Sequence, residues 1–169
     1  MDERRLKKTL VIICVVFAVC TVVFCAFRYA GFDILEEIVP TGTEEDAGLV
    51  ECSIDSITSP AGFLKIEGWA CIPGEDIGWT DNQYILKRIS DGKYFRISSA
   101  PVDRQDLKEL FNAEYQDEVQ YDRAGLRGKV KVARLDLKNQ EYELYIEYGN
   151  NGRDIMKNTG VVINAGTLS

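Results

Sequence analysis

The side chains able to do chemistry in this chain of 169 residues are 27 aspartates and glutamates, 5 cysteines and 2 tryptophans, and there is no histidine. The lack of histidine removes the commonest general base, the Ser-His and Cys-His nucleophile pairs, and most zinc and copper sites. The sequence has no Walker loop, no GxGxxG after a strand and no DxDxDG calcium loop. GNNGRD, residues 149–154, offers oxygen ligands but reads as a turn between strands. The expectation is no metal and no cofactor. Two carboxylates at the right separation suffice for glycoside hydrolysis, which keeps a glycan-active enzyme as an alternative. No acidic residue stands isolated among aromatic ones, however, so the carboxylates read as solvated surface.

The cysteines and tryptophans are more specific. Cys14, Cys20 and Cys25 lie in an apolar run and read as small filler, whereas Cys52 and Cys71 lie outside it. A hairpin turning at Pro60 to Phe63 that sets Ile57 opposite Ile66 also sets Ile54 opposite Trp69 and Cys52 opposite Cys71, at a separation a disulfide accepts. Two buried thiols are the other reading. Trp69, between Gly68 and Ala70, reads as a core plug. Trp79 lies in the turn-rich stretch PGEDIGWTDNQ, where its ring can stack on a sugar, meet a partner or fold back over the domain. The pairs Asp103-Arg104 and Asp122-Arg123 fit an ion-pair network tying a helix to a sheet, or a binding rim. The candidate ligand-binding set is therefore Trp79, Tyr84, Arg104, Tyr121 and Arg123.

The elements that must position these residues begin with a membrane span. Residues 9–27 contain no charge and, at about 1.5 Å per residue, reach roughly the thickness of a bilayer core. Arg4, Arg5, Lys7 and Lys8 precede the run and Asp33, Glu36 and Glu37 follow it, which predicts a cytoplasmic N-terminus and an extracytoplasmic C-terminal part. No small-x-small cleavage site follows, so the run reads as an uncleaved single-pass anchor in the cell membrane. The expected organisation is a basic tail over 1–8, a transmembrane helix over 9–29, an acidic juxtamembrane stalk over 30–49, a folded domain over 50–165 and a tail over 166–169. Phe32, Leu35, Ile38 and Val39 suggest a short helical stub before Pro40. Removing the five basic and two acidic residues up to Arg28 leaves 15 basic and 25 acidic residues, a net charge of −10. Nucleic acid is thus excluded as a partner; the lipid bilayer, through the span, is the partner the sequence implies.

Within the folded part, hairpins are predicted at Pro60–Gly62, at Asp91–Gly92 and at Lys138–Gln140, and a last strand over Gly160 to Ile163. EYELYIEY alternates, with Tyr142, Leu144, Ile146 and Tyr148 on one face. Pairing Val132 with Ile146 keeps apolar faces together and sets Lys131 opposite Glu147. DRQDLKELF predicts a helical turn or two capped by Asp103, with Leu107, Leu110 and Phe111 along one edge. The expected fold class is mostly β: an antiparallel Ig-like β-sandwich with one short helix.

Ile54, Asp55 and Ile57, then Leu64, Ile66, Gly68, Trp69 and Ala70, then Arg104, Asp106 and Leu107, then Ala124, Gly125 and Leu126 form a spaced pattern. It resembles β-sandwich modules of bacterial envelope proteins, found beside glycosyltransferases or polysaccharide-export machinery. The resemblance implies a non-catalytic module in surface-glycan assembly, with an envelope glycan or a glycan-assembly membrane protein as partner. A structural subunit of a membrane complex, using the span as its interface, is the further alternative.

Overall fold

The computed structural model describes residues 3–31, 34–78, 80–115 and 118–168, and divides into two units, 1–32 and 33–169. The first is a single helix, α1 (Glu3–Gly31). Its stretch Thr9–Ala26 has a mean hydropathy of 3.0 and is long and apolar enough to cross a membrane. Thr21, the one hydroxyl in the middle of this stretch, donates to the Phe17 carbonyl at 2.9 Å, so its proton is satisfied within the helix.

The second unit is a curled antiparallel sheet. Its strands are β1 (Leu35–Ile38), β2 (Glu51–Thr58), β3 (Phe63–Cys71), β4 (Gln83–Arg88), β5 (Tyr94–Val102), β6 (Gly125–Lys131), β7 (Tyr142–Asn150) and β8 (Arg153–Ile163), with a helix α2 (Gln105–Tyr115) between β5 and β6. The path through the sheet is β2-β3-β6-β5-β4-β7-β8, with β1 pairing β5 beside it. β5 joins the two halves: Tyr94 to Ile97 pair with β1, Tyr94 to Arg96 also with β4, and Ser98 to Val102 with β6. The two end strands, β2 and β8, come back into contact. One core runs through the inside, from Leu64 and Ile66 through Leu86, Val130 and Leu144 to Ile155. This is a partly closed barrel, not two stacked sheets, and so the sandwich expectation holds only as far as antiparallel β.

Space inside the barrel is made by glycine and taken by tyrosine. Tyr84, fully buried on β4, lies over Gly68 of β3 and Gly128 of β6: a Cβ on Gly68 would come 2.8 Å from its hydroxyl, and one on Gly128 2.6 Å from its ring. Trp69, expected as the core plug, is on the opposite face of β3, half-buried under α2 with its ring 5.0 Å from that of Phe111. There Leu107, Phe111, Tyr121 and Cys71 form a second cluster. The helix is longer than the expected turn or two, Leu110 is 57% exposed, and the residue at its start is Arg104, whose carbonyl accepts the Leu107 N–H at 3.1 Å in the place expected of Asp103.

Two hairpins match their expected turns. β2 and β3 turn at Pro60–Gly62, and β4 and β5 turn at Asp91–Gly92, where Gly92 takes a φ of 71°. GNNGRD is a turn as well, with φ of 52° and 77° at Asn151 and Gly152, the left-handed pair that a two-residue hairpin needs. The last strand begins earlier than expected, at Arg153.

The third hairpin does not form. After Lys131 the chain leaves the sheet in a 3-10 turn, and Leu135 and Leu137 fold into the end of the barrel, with the Tyr142 hydroxyl donating to the Leu135 carbonyl at 2.8 Å. β7 pairs instead with β4, Ile146 opposite Tyr84, and with β8. Tyr142, Leu144, Ile146 and Tyr148 do share the inner face. Alternation fixes which face is buried but is silent on which strand lies alongside.

Residues 34–49 are part of this domain rather than a stalk with a helical stub. β1 pairs β5, and the chain then crosses the outer face of the sheet as a strap. Ile38 packs with Ile85, Tyr145 and Met156; Thr41 Oγ1 and the Gly42 N–H donate to Glu147 Oε1 at 3.2 and 3.3 Å; Thr43 gives its N–H to the Asp154 carbonyl at 3.1 Å and takes that of Met156 at 2.9 Å. The three-residue spacing of Leu35 and Ile38 suggested a helix, but in the strand one faces the core and the other the outer cluster.

The disulfide is absent because β2 carries a bulge at Asp55. Ile57 stands opposite Ile66 as expected, but beyond the bulge Ile54 meets Gly68, Cys52 meets Ala70 and Cys71 meets Glu51. The extra residue turns the two cysteines to opposite faces of the sheet, Cys52 against the barrel core and Cys71 in the cluster under α2, both as thiols. Burial pushes the Cys52 thiol up, and nearby Lys157 partly opposes this.

Candidate binding cleft

The sheet splits where β5 passes from β4 to β6, and the split is a cleft. β4 pairs with β5 only from Ile85 to Lys87; before that the strands diverge, and the Tyr84 N–H, lacking a carbonyl from β5, donates to Ser99 Oγ at 3.0 Å. Ser99 passes its own proton to the Ile97 carbonyl at 3.1 Å. Its hydroxyl thus patches the ladder where the strands part.

The cleft encloses about 270 Å³ between β1, the segment 80–83, β5 and the start of β6. Its polar lining includes Glu36, Asp81, Asn82, Gln83, Arg96 and Ser98. Arg96 stands directly opposite Glu36 across the β1-β5 pair, and its Nε is buried with no hydrogen-bond partner among the described residues. A buried donor left unmade costs about 1–3 kcal/mol. Asp81 accepts from Gln83 Nε2 at 2.9 Å.

A second hollow of about 300 Å³ adjoins it, lined by Gly78, Thr80, Pro101, Val102, Asp103 and Arg123. Thr80 and Pro101 line both. Arg123 Nη1 donates to the Gly78 carbonyl at 3.1 Å, which fixes one wall.

The loop bearing these walls is fastened at several points. The Gly74 N–H donates to the Tyr121 hydroxyl at 2.8 Å, Glu75 accepts from Asn150 Nδ2 and Arg153 Nη1, each at 2.9 Å, and the Gly149 N–H donates to Asn82 Oδ1 at 3.1 Å. The cleft is therefore built before any ligand arrives.

Of the residues expected to bind, Arg123 lines the second hollow, and Gly78 and Thr80, which flank Trp79 in sequence, do too; Trp79 itself lies outside the described residues. Tyr84 and Tyr121 are fully buried and have no surface to offer a ligand. Tyr121 acts from beneath by holding Gly74. Arg104 belongs to the ion-pair network: its guanidinium joins Asp55 of the bulge at 2.5 Å to Asp106 of α2 at 2.8 Å and lines neither hollow. That network holds the Asp106 carboxyl below its ordinary range, chiefly through the Arg104 hydrogen bond.

Glu36, Asp81, Asn82 and Arg96 are the residues that sequence reasoning missed. Two signals stood in the sequence: the polar run Thr80 to Gln83, and an arginine at an outward position of β5 followed by Ser98, Ser99 and Pro101, residues poor at continuing a strand.

Fold and cleft together define a class: a helix able to cross a membrane, followed by a partly closed antiparallel barrel with a polar cleft at a sheet split. Compared with protein-family models, curated proteins and solved structures, the chain shows no match to any. Several residues of the spaced sequence pattern have structural work: Ile54, Ile57, Leu64, Ile66 and Leu126 pack the core, and Gly68 makes room for Tyr84.

Proposed function

We propose that this is a single-pass membrane protein, N-terminus cytoplasmic, whose extracytoplasmic barrel is a non-catalytic module that binds a glycan in envelope polysaccharide assembly. The observation that carries the reading is Arg96, a half-buried side chain on the wall of a preformed cleft that it shares with two carboxylates, two side-chain amides and three hydroxyls, beside the apolar Ile34, Pro101 and Leu126. Sugar hydroxyls both donate and accept, and this lining supplies both complements.

The carboxylates argue for binding rather than hydrolysis. A glycosidase acid is enclosed in a site that excludes water, whereas Glu36 and Asp81 are both exposed to solvent.

The test is a glycan array probed with the full-length protein in nanodiscs, with Arg96→Gln in parallel. Hydrogen bonds from a charged donor contribute about 1.5–3 kcal/mol, so the variant should lose roughly tenfold or more in affinity for whatever the native protein retains. Retention of no glycan, or equal retention by both proteins, would overturn the reading.

A further inference from the structure

We infer that the ligand is an extended, neutral polyhydroxyl chain that runs from Arg96 to Arg123 across the saddle formed by Thr80 and Pro101, and that polyanionic chains are refused. This rests on the glycan reading above and narrows it.

Extension follows from continuity. The two hollows share Thr80 and Pro101, and each alone is at or below the lower end of the size that holds a small ligand. Together they form a track with an arginine in each part. A single sugar ring fills one hollow and leaves the other wet.

Neutrality follows from charge. The track presents Glu36, Asp81 and Asp103 against Arg96 and Arg123, three acids to two bases, in a domain whose net charge is −10. A uronate or phosphate chain would gain two guanidinium contacts and meet three carboxylates inside a field of its own sign, which slows association and weakens binding at low ionic strength. A hydroxyl chain suffers no such repulsion and can accept from the arginines while donating to the acids.

The experiment titrates the full-length protein in nanodiscs with four neutral series, of glucose, galactose, mannose and N-acetylglucosamine, from monosaccharide to hexamer, and with oligogalacturonates and glycerol phosphate. At least one neutral series should tighten about tenfold or more between monosaccharide and tetramer. The oligogalacturonates should bind at least about tenfold more weakly at low salt and recover part of that as salt screens the repulsion. Asp103→Asn, a change at an exposed side chain, should weaken the tetramer several-fold. Uronates or glycerol phosphate binding as tightly as the neutral chains would overturn the inference and leave the glycan reading standing, as would affinity independent of length. Silence from every series would overturn both.

Discussion

Two glycines and one tyrosine decide whether this barrel can close. Gly128 faces the Tyr84 ring and the Ile97 methyl, and a Cβ there would stand 2.6 Å from the one and 3.0 Å from the other. Both neighbours are core side chains held on all sides, so neither can swing clear. Gly128→Ala should therefore destabilise the domain by about 1–3 kcal/mol, the usual cost of overpacking, measured by denaturant unfolding; an unchanged midpoint would mean the tyrosine is elsewhere. The buried phenols make a second test. Burial pushes Tyr148 up to about 12 and moves Tyr84 the same way. A phenol whose folded pKa is raised adds stability that is complete below its unfolded value of about 10 and is lost as pH rises through the folded value. Stability should accordingly fall between about pH 10 and 12, and tyrosinate absorbance from these rings should appear only as the protein unfolds.

At the scale of elements, the strap is the feature with most at stake. A chain beginning at residue 50, where composition places the domain boundary, lacks β1 and the strap. Ile85, Tyr145 and Met156, each less than 5% exposed in the complete domain, then lose part of their cover, and Glu147 loses two donors. That shorter chain should be less stable than one beginning at residue 34 by on the order of 2–4 kcal/mol and should bind hydrophobic dyes; thermal melts of the two compare them directly. The boundary was misplaced because residues 40–48 look like linker in composition, and their bonds to the sheet are mostly made by backbone atoms, which composition does not report. Local features fared better. Turns at Gly62, Gly92 and Asn151-Gly152 were legible because left-handed φ angles select their residues, and the inner face of β7 was legible because period two survives any choice of partner. Partner choice itself, the Asp55 bulge and hence the fate of the two cysteines depend on distant contacts such as Arg104 with Asp55. The cleft was hidden for the same reason: it exists only where β4 and β5 part.

At the scale of the molecule, stability rests on the barrel core with its two flanking apolar clusters and on no covalent cross-link between Cys52 and Cys71. Reductant should leave the melting temperature of the full-length protein within about 1 °C of its value without, and alkylation in denaturant should label both thiols; a drop of several degrees would signal a disulfide and a different register. The strap also fixes an order of assembly. Thr41 and Glu147 are 106 residues apart in the chain, and Ala47 and Lys157 are 110 apart. At about 5–20 residues per second, the docking site is synthesised roughly 5–20 s after the strap itself. In the topology proposed above, with the C-terminal part translocated, the first segment to emerge must wait for the last, and Glu44, Glu45 and Asp46 keep it soluble meanwhile. Translocation halted before β8 would leave an unlatched barrel, a ready substrate for surveillance proteases.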